Sequence, residues 1–482
     1  MNQASKIKIE YGDFQTPLEL AEKICHKLIS LNISPNVIFE PTCGIGNFIK
    51  ASTTLFKLTN KIIGLEINPN YLEAISKDEK LSKNKKIHIT QGDFFTFDWR
   101  SLTEEFHKNI LVLGNFPWVT NSQQGLIGGK NLPQKNNFNH HIGLDAITGK
   151  SNFDISEWML IQTVQALHHH DACLAMLCKT SVARKILSYI QKHKLNLAYC
   201  AIYKIDSQKY FQANVDACLL FCKFDTQSQN YCCDVFDNLE ESQFHRIGYQ
   251  YNILIRDLNS FKKLSYLYKP NSETKWRSGI KHDCSSIMEL RKIGNIFING
   301  LGEIVDIEEQ YIFPLIKGSD VAQNRTEIIT RYVLVTQQFI GQSTATIQDL
   351  APKTWRYLET HAKYLDARKS KIYQGNPRFS IFGVGYYTFL PWKIAICGLY
   401  KKLNFRLIKT YNNKPIIFDD TVYFLSFDDE ETAYKTFEML TSPLAIDFYS
   451  SLIFWDEKRP IKTSILNSLD LSILSEQLST YS

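Results

Sequence analysis

The run Glu40-Pro41-Thr42-Cys43-Gly44-Ile45-Gly46-Asn47-Phe48 closes a β-rich apolar stretch and opens a helical pattern. Glycines at such a joint let backbone approach a ligand closely, and the helix start offers free N–H groups to it. Two glycines alone are weak evidence, because many strand–turn–helix joints contain them. Glu66, in Gly64-Leu65-Glu66-Ile67-Asn68, ends the next apolar run about twenty residues on, where an acidic side chain accepts hydrogen bonds from ribose hydroxyls. Asp93, in Gln91-Gly92-Asp93-Phe94, ends the third run; it can accept the exocyclic amine of an adenine that packs on Phe94. Glu40, Pro41, Thr42, Gly44, Gly46, Glu66, Ile67, Asp93 and Phe94 thus form one candidate crevice for an adenosine-containing cofactor.

The fourth run ends in Gly114-Asn115-Phe116-Pro117-Trp118. Here the sequence resembles the amino-methyltransferases of DNA, whose signature is Asn or Asp, two prolines and an aromatic. It departs from that signature by carrying Phe116 for the first proline. The resemblance implies S-adenosyl-L-methionine as cofactor and Asn115, Phe116, Pro117 and Trp118 as the catalytic segment. An aromatic amine is a poor nucleophile because its lone pair is delocalised into the ring. The Asn115 side-chain oxygen and the carbonyl of residue 116 would accept its hydrogens and favour the pyramidal form that attacks a methyl. Any residue supplies that carbonyl, so Phe116 costs only the fixed φ of proline.

Two further segments extend the resemblance. Tyr11-Gly12-Asp13-Phe14-Gln15-Thr16-Pro17 is similar to the family's N-terminal cofactor motif, which adds Thr16 and Pro17 to the cofactor residues. Tyr210-Phe211-Gln212-Ala213-Asn214-Val215-Asp216 is similar to the motif whose aromatic stacks on an extruded adenine. Phe211 is preferred to Tyr210 for that role, with Trp118 as its partner in an aromatic clamp. The motif order is that of gamma-type adenine-N6 enzymes of restriction–modification systems. A base inside a duplex must leave the stack to reach such a site, at roughly a few kcal/mol.

The elements that must hold these residues are legible as alternating runs. Strands are predicted at Val37–Glu40, Ile62–Leu65, Lys86–Thr90, Ile110–Leu113, Cys173–Cys178, Ala198–Lys204 and Ala217–Lys223. Helices are predicted at Leu18–Leu31, Asn47–Phe56, Pro69–Ser76, Ile155–His168 and Ser181–Lys192. Short apolar strands alternating with helices indicate an α/β fold with a parallel sheet covered on both faces. The short link between the last two strands carries no helical pattern and predicts an antiparallel edge. By resemblance the sheet is the seven-stranded, Rossmann-like one of S-adenosylmethionine-dependent methyltransferases, followed by a C-terminal α+β target-recognition domain.

The expected division is residues 1–235 for catalysis and 245–482 for DNA recognition, with polar Asp225–Arg246 as a linker or surface excursion. Between His361 and Arg406, Lys363, Arg368, Lys369, Lys371, Arg378, Lys393, Lys401, Lys402 and Arg406 interleave with aromatics. Lys369 lies in Leu365–Ser370 and Arg378 directly before Phe379–Gly385, two segments that resemble target-recognition domains, and basic groups there would meet phosphates or base edges; a solvated face is the plainer alternative. Val119–Phe153, rich in Gly, Asn, Gln, Lys and His, is expected to order over DNA through Lys130, Lys135, His140 and His141.

Composition sets outer bounds. Over 482 residues, 44% hydrophobic and 22% charged residues describe a folded globular protein of two to four domains. A net charge of +6 is compatible with a polyanionic partner without requiring one. No apolar run is long enough for a membrane span and no secretory signal is visible, so a cytoplasmic protein is expected. The eleven cysteines lie singly or in apolar runs and read as thiols rather than disulfides or zinc ligands, so no metal is expected. His168–His170 reads as exposed cations at a helix end. The expected partner of the chain, as a monomer, is double-stranded DNA; no fused nuclease is visible, which leaves room for a separate restriction endonuclease. Open alternatives are an RNA or protein-glutamine methyltransferase, a catalytically silent DNA-binding protein of the same fold, and N4-cytosine chemistry.

Overall fold

A computed structural model describes residues 14–106, 108–118, 154–270 and 275–480. Tyr11–Asp13 and Val119–Phe153, with Lys130, Lys135, His140 and His141, lie outside the described residues. The chain divides into two compact units, Met1–Asn259 and Ser260–Ser482.

The first unit is built on a ten-stranded sheet. Its strands are β1 (Val37–Glu40), β2 (Lys61–Glu66), β3 (Ile87–Gln91), β4 (Lys108–Asn115), β5 (Asp171–Lys179), β6 (Tyr199–Ile205), β7 (Ala217–Phe224), β8 (Cys233–Phe236), β9 (Phe244–Gln250) and β10 (Ile253–Ile255). The order is β10-β9-β8-β6-β7-β5-β4-β1-β2-β3. β1 pairs in parallel with both β2 and β4, so strand order reverses there and opens a crevice at the strands' C-terminal ends. Helices α1 (Leu18–Ser30), α2 (Asn47–Leu55), α3 (Pro69–Ser76), α4 (Ile155–Leu167) and α5 (Thr180–Lys192) alternate with the strands. Leu20, Ile24 and Leu28 put one face of α1 wholly into the core. The middle strands are apolar throughout, as strands covered on both faces must be; β5 is buried from Ala172 to Cys178.

The seven expected strands are all present, and three more extend the sheet. β7 inserts antiparallel between β5 and β6, so the antiparallel pair is internal rather than an edge. A short helix, α6 (Ser207–Phe211), stands in the link where no helix was expected. The expected linker is instead sheet: β8 pairs in parallel with β6 and antiparallel with β9. Its four residues are buried, and Asp234 among them is paired with Arg246 on β9 at 2.6 Å. A four-residue strand carrying a charge has too little periodicity to be read from sequence, so the division between units falls at Asn259, not between 235 and 245.

The second unit carries two sheets. β11 (Arg277–Ser278), β17 (Trp392–Cys397), β18 (Arg406–Ile408) and β20 (Val422–Phe427) form a four-stranded sheet in the order β11-β20-β17-β18. β12 (Glu289–Ile293), β13 (Ile296–Asn299), β14 (Ile304–Val305), β15 (Ile312–Ile316), β16 (Arg331–Leu334) and β19 (Ile417–Phe418) form a six-stranded one in the order β14-β13-β12-β16-β15-β19. Helices Pro352–Thr360, Glu430–Thr441, Pro443–Leu452 and Leu471–Thr480 complete an α+β unit with its own core. Among the described residues no helix is long and apolar enough to cross a membrane.

Candidate functional site

The C-terminal ends of β1, β2, β3 and β4 surround an open crevice of roughly 1000 Å³ that includes space open to solvent. It is lined by Thr16, Glu40, Pro41, Thr42, Gly44, Glu66, Ile67, Asp93, Phe94, Asn115 and Pro117. Eleven of the sequence-predicted site residues therefore meet in one place, although they are spread over about a hundred positions of chain.

Gly44 and Gly46 have φ of +52° and +79°, a left-handed backbone that suits glycine. A Cβ on Gly44 would meet the Gln15 side-chain amide, which would have to shift. The Gly44 N–H donates to Glu66 Oε2 at 2.7 Å, and the Asn68 N–H donates to Glu66 Oε1 at 2.8 Å. Each carboxylate oxygen has further acceptor capacity. Glu66 is thus buried and fixed by backbone, a rigid acceptor rather than a swinging one. Below it Glu40 is buried, and burial, then the Glu66 carboxylate, push its own carboxyl well above the usual range. Glu40 Oε2 is buried without a hydrogen-bond partner. Asp93 accepts the Phe95 N–H through Oδ1 at 2.9 Å and starts a short turn.

Asn115 ends β4 and is held from two sides. Thr42 Oγ1 donates to the Asn115 carbonyl at 3.2 Å, and Asn115 Nδ2 donates to the Phe14 carbonyl at 3.0 Å. The second bond orients the amide, since a carbonyl can face only the NH2 group. Oδ1 is left buried without a partner.

The remaining predicted residues lie off the crevice. Pro17 precedes α1, and its carbonyl accepts the Ala21 N–H. Gly46 caps α2. The Phe116 ring, 1% exposed, turns into an aromatic cluster with its centroid 5.2 Å from that of Phe94. Only its backbone is left for the site. Trp118 and Phe211 do not form a clamp with a gap between parallel faces: their centroids are 4.9 Å apart at 66°, and Trp118 also packs on Phe14 at 5.6 Å. Hydrophobic closure has joined the two rings. Tyr210 is the half-buried member of the pair, and Lys23 donates to its hydroxyl at 3.2 Å.

In the second unit the expected basic surface is only partly a surface. Arg378 is paired with Glu359 at 3.0 Å and with Asp366 at 2.8 Å. Arg368 donates to the carbonyls of Leu365, His282 and Ser380 and covers Tyr373. Lys393 is buried, with Nζ donating to the Ile416 carbonyl at 2.7 Å. Lys369 is exposed. His168 is not the exposed cation expected: burial, then His169 and His170, push it down to about 4, so at neutral pH it carries no charge.

Sequence reasoning missed Gln15, Asn47, Tyr71, Phe95, Ile155 and Met159, which also line the crevice. Gln15 and Asn47 adjoin recognised motifs, and Gln15 Oε1 accepts the Ile45 N–H at 3.1 Å. Ile155 and Met159 come from α4 and carry no local signal. Among the described residues no group of three His, Cys, Asp or Glu side chains could hold a metal. None of the eleven cysteines is in a disulfide.

No protein-family model matches the chain. Over 476 residues it is 65% identical to Type II methyltransferase M.NspV of Nostoc sp., with 99% of each chain covered. A stretch of 117 residues, 24% of this chain and 27% of the relative, is 35% identical to Type II methyltransferase M.CvrRI of Paramecium bursaria Chlorella virus XZ-6E. Among solved structures, the type IIL restriction-modification enzyme MmeI in complex with DNA is similar in fold. Its TM-score is 0.54 over 97% of this chain and 67% of the MmeI chain, at 12% identity. With near-complete coverage at that level of identity to M.NspV, the chain belongs to the type II DNA methyltransferases of restriction–modification systems.

Proposed function

We propose that the protein transfers a methyl group from S-adenosyl-L-methionine to the N6 amine of an adenine extruded from duplex DNA. The observation that carries this reading is the Asn115 amide, with Nδ2 held by Phe14 and a buried Oδ1 left over to accept. An acceptor oriented before substrate arrives needs no reorganisation when the amine begins to pyramidalise. The carbonyl of Phe116 is the second acceptor, placed by a ring locked in the core.

The crevice fits the cofactor. Glu66 places a carboxylate where ribose hydroxyls would meet it, while Ile67, Tyr71 and Phe94 give apolar area for a purine, with Asp93 at its edge. Glu40 Oε2 is a buried polar atom awaiting a partner. S-adenosyl-L-methionine, when bound, supplies an electrophilic methyl group. Thr16 and Gly44 line the surface against which it would lie, while Pro17 and Gly46 shape the adjoining helix starts. For the target base, Tyr210 is the better stacking face, because Phe211 is committed to Trp118. In the second unit, which we read as the recognition domain, Lys369 is a candidate phosphate contact and Arg378 a residue that holds its own segment together. The same reading takes the protein as a cytoplasmic monomer that protects host DNA from a separate endonuclease.

Transfer of radiolabelled methyl to duplex DNA, RNA and protein, followed by nucleoside analysis, tests the proposal. Label in N6-methyladenine from duplex DNA is expected. Label in N4-methylcytosine, or only in RNA or protein, would overturn it.

A further inference from the structure

The aromatic group that Phe14 joins to the crevice leads to two cations that no motif marks. Phe14, whose carbonyl holds Asn115, packs on Trp118 and Phe211. Tyr210, beside Phe211 on α6, is packed against the same core. Lys23 reaches it from α1, with Nζ 3.2 Å from the hydroxyl, and Lys209 from α6, with Nζ 4.9 Å from the ring centroid. Both ammoniums share one carboxylate, Glu19, at 3.0 and 4.0 Å. All three side chains keep substantial exposure, at 38%, 55% and 61% for Lys23, Lys209 and Glu19.

Two positive charges against one negative leave an excess of one, beside the aromatic group that Phe14 joins to the crevice. Exposed ion pairs of this kind contribute little to folding. Yet segments 187 positions apart bring their cations to one tyrosine, whose ring is the base-stacking face in the reading above. A flexible ammonium suits the point charge of a phosphodiester oxygen. An extruded base brings its flanking phosphates to the rim of its pocket, not into it. We propose that Lys23 and Lys209 grip the phosphates flanking the extruded nucleotide, exchanging Glu19 for DNA as the strand docks. The inference rests on the DNA-adenine reading above and adds the surface that holds the strand in place.

The test uses the full chain and a duplex oligonucleotide carrying the site mapped by methylation sequencing. Affinity is measured against salt for wild type, Lys23→Ala, Lys209→Ala, the double alanine variant, the double arginine variant and Tyr210→Phe. Each alanine should lower the slope of log affinity on log salt by about 0.9, and the pair by about 1.8. The loss should fall on KM for DNA more than on kcat, cofactor affinity should hold, and arginine should restore the slope. An unchanged slope in the double alanine variant overturns the proposal. So does Tyr210→Phe reproducing the lysine losses, since the lysines would then serve only to hold the ring. A wild-type protein that methylates no duplex DNA would fail earlier, at the underlying reading, and this inference would fall with it.

Discussion

The two units differ in where they leave buried polar atoms unpaired. In the first, the crevice keeps Asn115 Oδ1 and Glu40 Oε2 buried without partners. In the second, Ser380 Oγ is buried without a partner, but the large polar side chains that go inside have hydrogen bonds made. Arg368 reaches three carbonyls, Lys393 one, and Gln337 both donates to the Gln342 carbonyl and accepts the Ile381 N–H. A buried polar atom left unpaired costs free energy comparable to a lost hydrogen bond, so one that lines a crevice is a candidate to be paired by a ligand. Satisfied ones hold the fold. Unpaired atoms also occur away from the crevice, at Tyr203, Tyr231, Gln250 and Ser380, so it is the coincidence of an unpaired atom with the crevice lining that marks Asn115 and Glu40.

The largest effect expected from this contrast is at Asn115. Asn115→Ala should lower single-turnover methyl transfer by about 10²–10³-fold or more, in the range seen for removing one oriented polar group from an active site. Binding of S-adenosyl-L-methionine, followed by calorimetry, should stay within a few-fold. Asn115→Asp keeps an acceptor oxygen and should retain more activity than alanine. A loss under tenfold in the alanine variant would mean that the unpaired oxygen is not the acceptor.

Why the first unit was so legible follows from where its residues stand. Gly44, Glu66, Asp93 and Asn115 each close or directly follow a parallel strand, and parallel topology gathers such positions on one edge whatever the intervening chain. Local pattern therefore gave their placement. It gave neither the Trp118–Phe211 contact nor the reach of Ile155 and Met159 into the crevice, which depend on tertiary packing. β8 escaped notice because Asp234 interrupts it and finds its partner only on β9. In the second unit, counting Lys and Arg between His361 and Arg406 overstated the surface. Whether a guanidinium faces water or a cluster of carbonyls is decided by contacts far along the chain, as between Arg368 and His282.

Glycine substitutions sharpen the comparison at the backbone. Gly44→Ala strains a φ of +52° and displaces Gln15 from the Ile45 N–H. It should cost about 1–2 kcal/mol of stability and about tenfold or more in cofactor affinity. Gly375, at φ +74° in the second unit, has open space around its Cβ position. Gly375→Ala should cost a similar strain energy and leave cofactor affinity alone. Equal cofactor losses in both variants would show that the effect is general destabilisation.

Lys393 tests the scaffold directly. Burial pushes its ammonium down to about 7, against an ordinary value near 10.5. Between those values the folded chain holds Lys393 neutral while the unfolded chain protonates it. Stability should therefore rise with pH across that window, by about 1.4 kcal/mol per pH unit where the states differ by a full proton. The contribution is complete above the unfolded value and lost as pH falls through about 7. Lys393→Met should remove this slope and raise the melting temperature at pH 7. An unaltered slope would place the titration elsewhere and make Lys393 a poor example of a buried, satisfied cation.

The smallest effects separate two basic residues that composition alone treats alike. Arg378 already has Glu359 and Asp366 as partners, whereas Lys369 faces solvent. If Lys369 meets a phosphate, Lys369→Ala should lower the salt slope of DNA binding by about 0.9 and leave the melting temperature where it was. Arg378→Ala should do the reverse. It would cost no more than about 1 kcal/mol of stability, since its ion pairs are half-exposed, and should leave the salt slope within error. Should Arg378→Ala move the slope and Lys369→Ala not, the carboxylates would be holding Arg378 ready for DNA. Hydrogen-bond satisfaction would then cease to distinguish scaffold from site in this unit.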